Sequence, residues 1–363
     1  MLSSYEKALA NSTRQTHYGH GKKVTSMGWS SVGALCTGSS DTTLRVWHVE
    51  PTGALKKFEI LKSHTGAVDA LSWCPESPYT LVSGATDRSV RLWDTRAGGR
   101  CTGFVATKGQ ALNLGWSPEC NSVIMGTRDD TLVVIDVRKL SSGGSGGSAV
   151  QSTTTFREEL NEFAFAPRTG LLYVGLGLIG VTDEGSVAIL SLASPSGGED
   201  IAGSVGVGSG SPPSVVSEIA RVSCHTAPVT HLRFNPEGSY FVTGSGDSCV
   251  CMWDAEEGCV VSVFDRAEAQ LRGLSWSRDG RHVAVASGDK EESAKTLDII
   301  RVVDGTRVFS LPCPASVNHV SWAPHANLIS YSVEDIGSAT VSGKPGGDKF
   351  EAGAIKLLVP ATA

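Results

Sequence analysis

No stretch of this 363-residue sequence is apolar for long enough to cross a bilayer. The longest run, residues 171–181, is short and interrupted by glycine, whereas a spanning helix needs about 20 apolar residues. The opening MLSSYEKALANSTRQ lacks the apolar centre of a secretory leader. None of the nine cysteines forms a Cys-x-x-Cys pair, which removes the usual spacing of a zinc site. Cys249 and Cys251 lie two apart on one expected strand and so face the same side. Most of these thiols read as small buried apolar groups in a reducing compartment. Excess positive charge is missing as well. At a net charge of −6 the chain is not a general binder of polyanions. The charge is uneven: residues 1–100 carry 12 Lys and Arg against 8 Asp and Glu, and the remainder carries a net −10. The basic sector suits RNA, an acidic partner, or simply solvent. No basic cluster reads as a nuclear import signal, Lys22-Lys23 being too short. A soluble, intracellular protein without membrane contact is expected.

What the chain does have is a repeat. Residues 64–94, HTGAVDALSWCPESPYTLVSGATDRSVRLWD, hold three short strand-like runs at 68–73, 80–84 and 89–93. Pro75 and Pro78 separate the first two, and a tight polar turn over 85–88 separates the last two. A unit this small cannot bury both faces of its own sheet, so it requires copies of itself. An aromatic closes the first strand of each copy: Trp29, Trp73, Trp116, Phe165, Phe234, Trp276 and Trp322. The intervals are 44, 43, 49, 69, 42 and 46 residues, close to the period of a four-stranded propeller blade except where one holds an insertion. Seven anchors predict an all-β, seven-bladed β-propeller over 13–359, with a loose lead-in at 1–12 and a tail at 360–363. Flexible insertions fall at 141–148, 194–213, 289–295 and 336–352. Only four residues follow Val359, too few for a last strand, so residues 13–18 are expected to close the ring as the outer strand of blade seven.

Three repeats carry polar sets at matching offsets: His20, Thr37, Asp41 and Trp47; His64, Ser83, Asp87 and Trp93; and His225, Thr243, Asp247 and Trp253. Ser, His and Asp together suggest a hydrolase triad. Three copies of one active site on one chain, two of them with Thr for Ser, argue instead for structure. Blades three, four, six and seven lack the set; in blade three Met125 and Ile135 replace the hydroxyl and the indole, although Asp129 remains.

Trp-Asp closing two repeats and Trp-His a third resembles the WD40 family. The resemblance implies that each polar set is a buried hydrogen-bonded chain from turn Asp to His to hydroxyl to indole. The irregular blades go further. Thr107-Lys108-Gly109 with LNLGWSP (112–118), TRDDTLVVID (127–136), Leu160-Asn161-Glu162, FDRAEAQLRGLSWSRDG (264–280) and EAGAIKLL (351–358) resemble the family of THO complex subunit 3, in order, from about 13 to 359. The Gly/Ser loops and the 289–295 insertion depart from it. The resemblance implies a nuclear, non-catalytic scaffold of the THO/TREX assembly, coupling transcription to mRNA packaging and export. Its partners would be other THO subunits, above all the large helical one, with mRNA met only through the complex. Neither a cofactor, a metal nor a small-molecule substrate is expected. Trp93-Asp94-Thr95-Arg96 also matches the WDxR pattern of substrate receptors for cullin-4 ubiquitin ligases, which stands as the alternative.

In propellers of this type, positions six and four before the closing aromatic, and the residue before the turn Asp, point to the channel mouth. These give Lys23, Asp69, Gln110, Glu159 and Asn161 on the first four blades. Gln270, Arg272 and Asn318 follow on the last two, and the turns add Arg128 and Glu334. The set is expected to bind a protein partner.

Overall fold

The computed structural model describes residues 3–50, 52–140, 149–177, 185–192, 216–264, 270–288, 295–333 and 353–361. Seven four-stranded antiparallel sheets are arranged in chain order around a central channel. Their innermost strands are Val24–Trp29, Ala70–Trp73, Ala111–Trp116, Leu160–Phe165, Val229–Phe234, Leu271–Trp276 and Val317–Trp322. Each ends on the aromatic that set the repeat. The outer strands, such as Leu55–Lys62, Val150–Thr155 and Arg307–Pro312, are mostly exposed or half-buried, with single buried anchors at Leu61 and Leu311.

Burial explains why such short strands hold. The second strands Ala34–Ser39, Ser122–Thr127 and His282–Ser287 are buried at every position. Both faces of the sheet are covered by neighbouring blades, so these strands read as continuous small and apolar runs rather than alternating ones. The close approach needs glycine. A Cβ on Gly84 would overlap Ala111 of the next blade, and one on Gly38 would come within 2.8 Å of Val68. The closing aromatics add a directional lock. The indole N–H of Trp73 donates to the Gly28 carbonyl at 3.0 Å, that of Trp116 to Ser72 at 3.0 Å, and that of Trp276 to Arg233 at 3.0 Å. Each bond reaches back to the preceding blade.

The last sheet joins the two ends of the chain. Thr13–Tyr18 pairs antiparallel with Ala354–Val359, from Thr13 opposite Val359 to Tyr18 opposite Ala354. Trp29 seals the seam by donating to the Ser330 hydroxyl at 2.9 Å and the Ser321 carbonyl at 3.3 Å. The described cysteines are free thiols, and burial pushes those of Cys120 and Cys313 up to about 11.

The lead-in differs from expectation. Residues 4–10 are not loose but form a helix, α1 (Ser4–Ala10), opened by a capping box between Ser3 and Glu6. Leu9 is fully buried against Trp322 and the core of blades six and seven. Glu6 accepts from Arg301 at 2.7 Å and lies 3.3 Å from His282. The bond from Arg301 outweighs the opposing effect of burial and holds the Glu6 carboxyl down to about 2. One large aliphatic residue, Leu9, among seven gave no periodic signal, so this helix is decided by its dock and its cap.

Two outcomes follow. Deleting residues 1–18 should expose the edge of Ala354–Val359 and the surface under Leu9, giving aggregation by light scattering and a lower Tm. A truncated chain that stays monomeric with unchanged melting contradicts ring closure as the stabilising contact. Because Glu6 is more acidic folded than unfolded, its stabilisation is complete above about pH 4.5 and fades as pH falls toward 2. The Tm advantage of the parent over Glu6→Gln should therefore shrink across that window. An advantage that persists unchanged to pH 2 contradicts the ion pair.

Candidate functional site at the channel mouth

The three polar sets are closed hydrogen-bonded chains. In blade two the Trp93 indole donates to Ser83 Oγ at 2.8 Å, Ser83 lies 2.7 Å from His64 Nε2, and His64 Nδ1 lies 2.9 Å from Asp87. Blade one repeats this through Trp47, Thr37, His20 and Asp41 at 2.8, 2.9 and 3.0 Å. Blade five does so through Trp253, Thr243, His225 and Asp247 at 2.8, 2.8 and 3.0 Å. Each Asp also accepts the backbone N–H of the residue after the His: Gly21, Thr65 and Thr226. It further accepts from the backbone two residues ahead, holding Thr42, Arg88 and Ser248 at positive φ. Burial opposes ionisation of Asp87, but the His64 bond and the Thr65 N–H overcome it and set its carboxyl well below the usual range. Burial also lowers the His64 imidazole, so it stays neutral and donates from Nδ1. Ser83, Thr37 and Thr243 are completely buried, with donor and acceptor capacity both used. This geometry fastens the loops to the blades and offers no nucleophile.

The accessible polar side chains lie around the channel. Six innermost strands slip register five to three residues before the closing aromatic. The slip leaves Thr25, Leu112, Asn161, Thr230, Arg272 and Asn318 out of the ladder and turns them toward the channel, as a β-bulge does. They help line a central cavity of about 530 Å³. Of the ten residues read from the sequence, Lys23, Asp69, Arg128, Asn161, Gln270, Arg272 and Asn318 line this cavity. Gln110 and Glu159 are not among its walls; their carbonyls accept the backbone N–H of Arg128 and Gly177 instead. Glu334 falls outside the described residues.

The count of positions missed a deeper ring, three residues before the aromatic: Asn113, Glu162, His231 and His319, with Arg233 beside them. Glu162 lies 2.6 Å from Arg233 and 3.1 Å from His231. Burial works against its ionisation, but these two neighbours hold its carboxyl down to about 2. Burial, reinforced by the charges of His231 and Lys23, brings His319 down to about 4. Arg128 donates to Asp69 at 2.9 Å. The amide atoms Asn113 Oδ1, Asn161 Nδ2 and Asn318 Nδ2 are buried without a partner among the described residues. The periodicity that located −6 and −4 also contained −3; the signal was polar residues recurring there in five blades, Ser26 of blade one included.

Comparison with known proteins accords with this geometry. The WD domain, G-beta repeat, matches residues 11–48, 55–94 and 216–254, the three stretches that carry the polar sets. THO complex subunit 3 of Arabidopsis thaliana is 33% identical over 321 residues, which span 88% of this chain and 89% of that protein. The chain belongs to the THO complex subunit 3 family. Its role is that of a WD40 scaffold. The WD repeat-containing protein AAC3 of Dictyostelium discoideum is 26% identical over 72% of this chain, but this covers only 52% of AAC3. Among solved structures, the β-propeller domain of Cps50 (Swd1) from Myceliophteria thermophila matches with a TM-score of 0.68. It covers 94% of this chain and 99% of that one at 14% identity, a likeness of fold.

Replacing His64 or Asp87 by Ala should each cost about 1–3 kcal/mol, because each leaves a buried group unpaired. Their effects should be less than additive, since one chain of bonds connects them. A double-mutant cycle by denaturant unfolding checks this, and strict additivity contradicts a shared network.

Proposed function

We propose that this propeller is a non-catalytic docking subunit of a THO complex, acting in the nucleus to couple transcription to mRNA packaging and export. Protein contacts do the work, with the large helical subunit as principal neighbour and RNA met through the assembly. The observation that supports this most is correspondence with a THO complex subunit 3 over 88% of the chain, irregular blades included. The buried state of all three Ser/Thr–His–Asp sets is consistent with a scaffold. The partner surface is proposed at the channel mouth, where seven innermost strands bring polar side chains together. Such interfaces concentrate their energy in a few central residues, and Arg is enriched among them.

A second reading, a substrate receptor of a cullin-4 ubiquitin ligase, is favoured by one geometric feature. Arg96 forms a two-point bond to Asp94 at 3.0 and 2.7 Å, and Arg138 repeats it on Asp136 at 3.0 and 2.9 Å in the next blade. Both guanidinium groups are mostly exposed.

Affinity purification from nuclear extract separates the two. Recovery of the large helical THO subunit supports the first reading, and recovery of the ligase adaptor in its place supports the second. Converting Arg128 and Arg272 together to Glu should cost about 2–5 kcal/mol for each buried charge pair broken, and so abolish THO recovery. Undiminished recovery with a folded double variant moves the interface to a blade side or to the opposite face.

A further inference from the structure

Most charged groups around the channel are already matched. Arg128 is engaged by Asp69, and Glu162 by Arg233 and His231. Arg272 differs. Its Nε donates to the Gly288 carbonyl at 3.2 Å, and its terminal nitrogens meet no carboxylate among the described residues. On the adjacent blade, Asn318 occupies the same bulged position, and its Nδ2 is buried with no acceptor among the described residues. Blades six and seven are held in register here, since the Trp322 backbone N–H donates to Ser275 Oγ at 2.9 Å. Two neighbouring strands therefore present a guanidinium and an amide N–H to one cavity, at positions the β ladder cannot satisfy. A buried donor requires an acceptor, and a forked guanidinium beside an amide N–H matches a two-oxygen anion.

We propose that the channel mouth over blades six and seven is an oxyanion site, where Arg272 and Asn318 donate to a carboxylate or phosphate. The cavity, about 530 Å³, admits either a small free anion or an acidic side chain brought by a protein. The second source rests on the docking reading above; the first does not. Arg128 is excluded from the site because Asp69 occupies it.

Isothermal titration of the purified full chain tests this with two probes: inorganic phosphate, and a glutamate hexapeptide blocked at both ends. Binding of phosphate assigns a free anion, and binding of the peptide alone assigns a protein side chain. Either should weaken by about tenfold or more in Arg272→Gln, as expected for loss of a charged donor. Asn318→Leu should cost about fivefold. If that variant melts early, the near-isosteric Asn318→Asp replaces it and should abolish binding. Arg307→Gln, on the exposed outer strand of blade six, should change affinity by less than about twofold, as for a screened surface charge. The proposal is overturned if neither probe binds, if Arg272→Gln or the folded Asn318 variant binds like the parent, or if Arg307→Gln weakens binding as much as Arg272→Gln. The titration needs no partner. Anion binding without THO recovery removes only the docking reading, and THO recovery without anion binding removes only this one.

Discussion

Ring closure is the constraint on which everything else depends. Each blade is apolar on both faces, so each is stable only between two others. An open row of blades would leave two apolar faces and two unpaired edges. Pairing Thr13–Tyr18 with Ala354–Val359 removes both by building one sheet from the two ends of the chain. The seam is then stitched by the device used between other blades, an indole reaching back to its neighbour. Here Trp29 bonds to Ser321 and Ser330, almost the full chain length away in sequence. Helix α1 then ties the start of the chain to blades six and seven through Leu9 and Glu6.

A closed ring sorts its polar groups into two kinds. In the His20, His64 and His225 sets every donor has an acceptor, and the chain of bonds ends on a turn Asp that also holds the backbone. Ser83 is inert because its hydroxyl is fully buried and committed on both sides. At the channel the bulges release side chains from the ladder, and the amide N–H groups of two of these, Asn161 and Asn318, find no acceptor among the described residues. Rigidity of the first kind supports the second. Side chains on short, fully buried blades are held in place to meet a ligand, whereas loop side chains would have to be ordered on binding.

The number of blades, the closing strand and the three polar sets were legible because each depends on local spacing. An aromatic at intervals of 42 to 49 residues, with one of 69, or His, Ser/Thr, Asp and Trp at matching offsets, reflects contacts that each repeat makes with itself or its neighbour. Helix α1 was not legible. Seven residues with a single buried leucine carry no periodicity, and its partners His282, Arg301 and Trp322 lie more than 270 residues away. The Glu162–His231–Arg233 cluster escaped for a related reason. Its members look unremarkable on two strands about 70 residues apart, and only the arrangement around the channel brings the carboxylate within 2.6 Å of Arg233.

The sequence by itself determined the repeat, the strand order and the residues able to reach the channel, because a strand's neighbours recur at fixed separations. Only the tertiary structure decided which of those residues are already engaged. Asp69 and Arg128 are 59 positions apart yet bonded, while Arg272 and Asn318, equally polar in sequence, face the channel from adjacent blades with no carboxylate bonded to them among the described residues. Charge and spacing state what a side chain can do. The partner it has found depends on distance across the ring, and no periodicity along the chain encodes that.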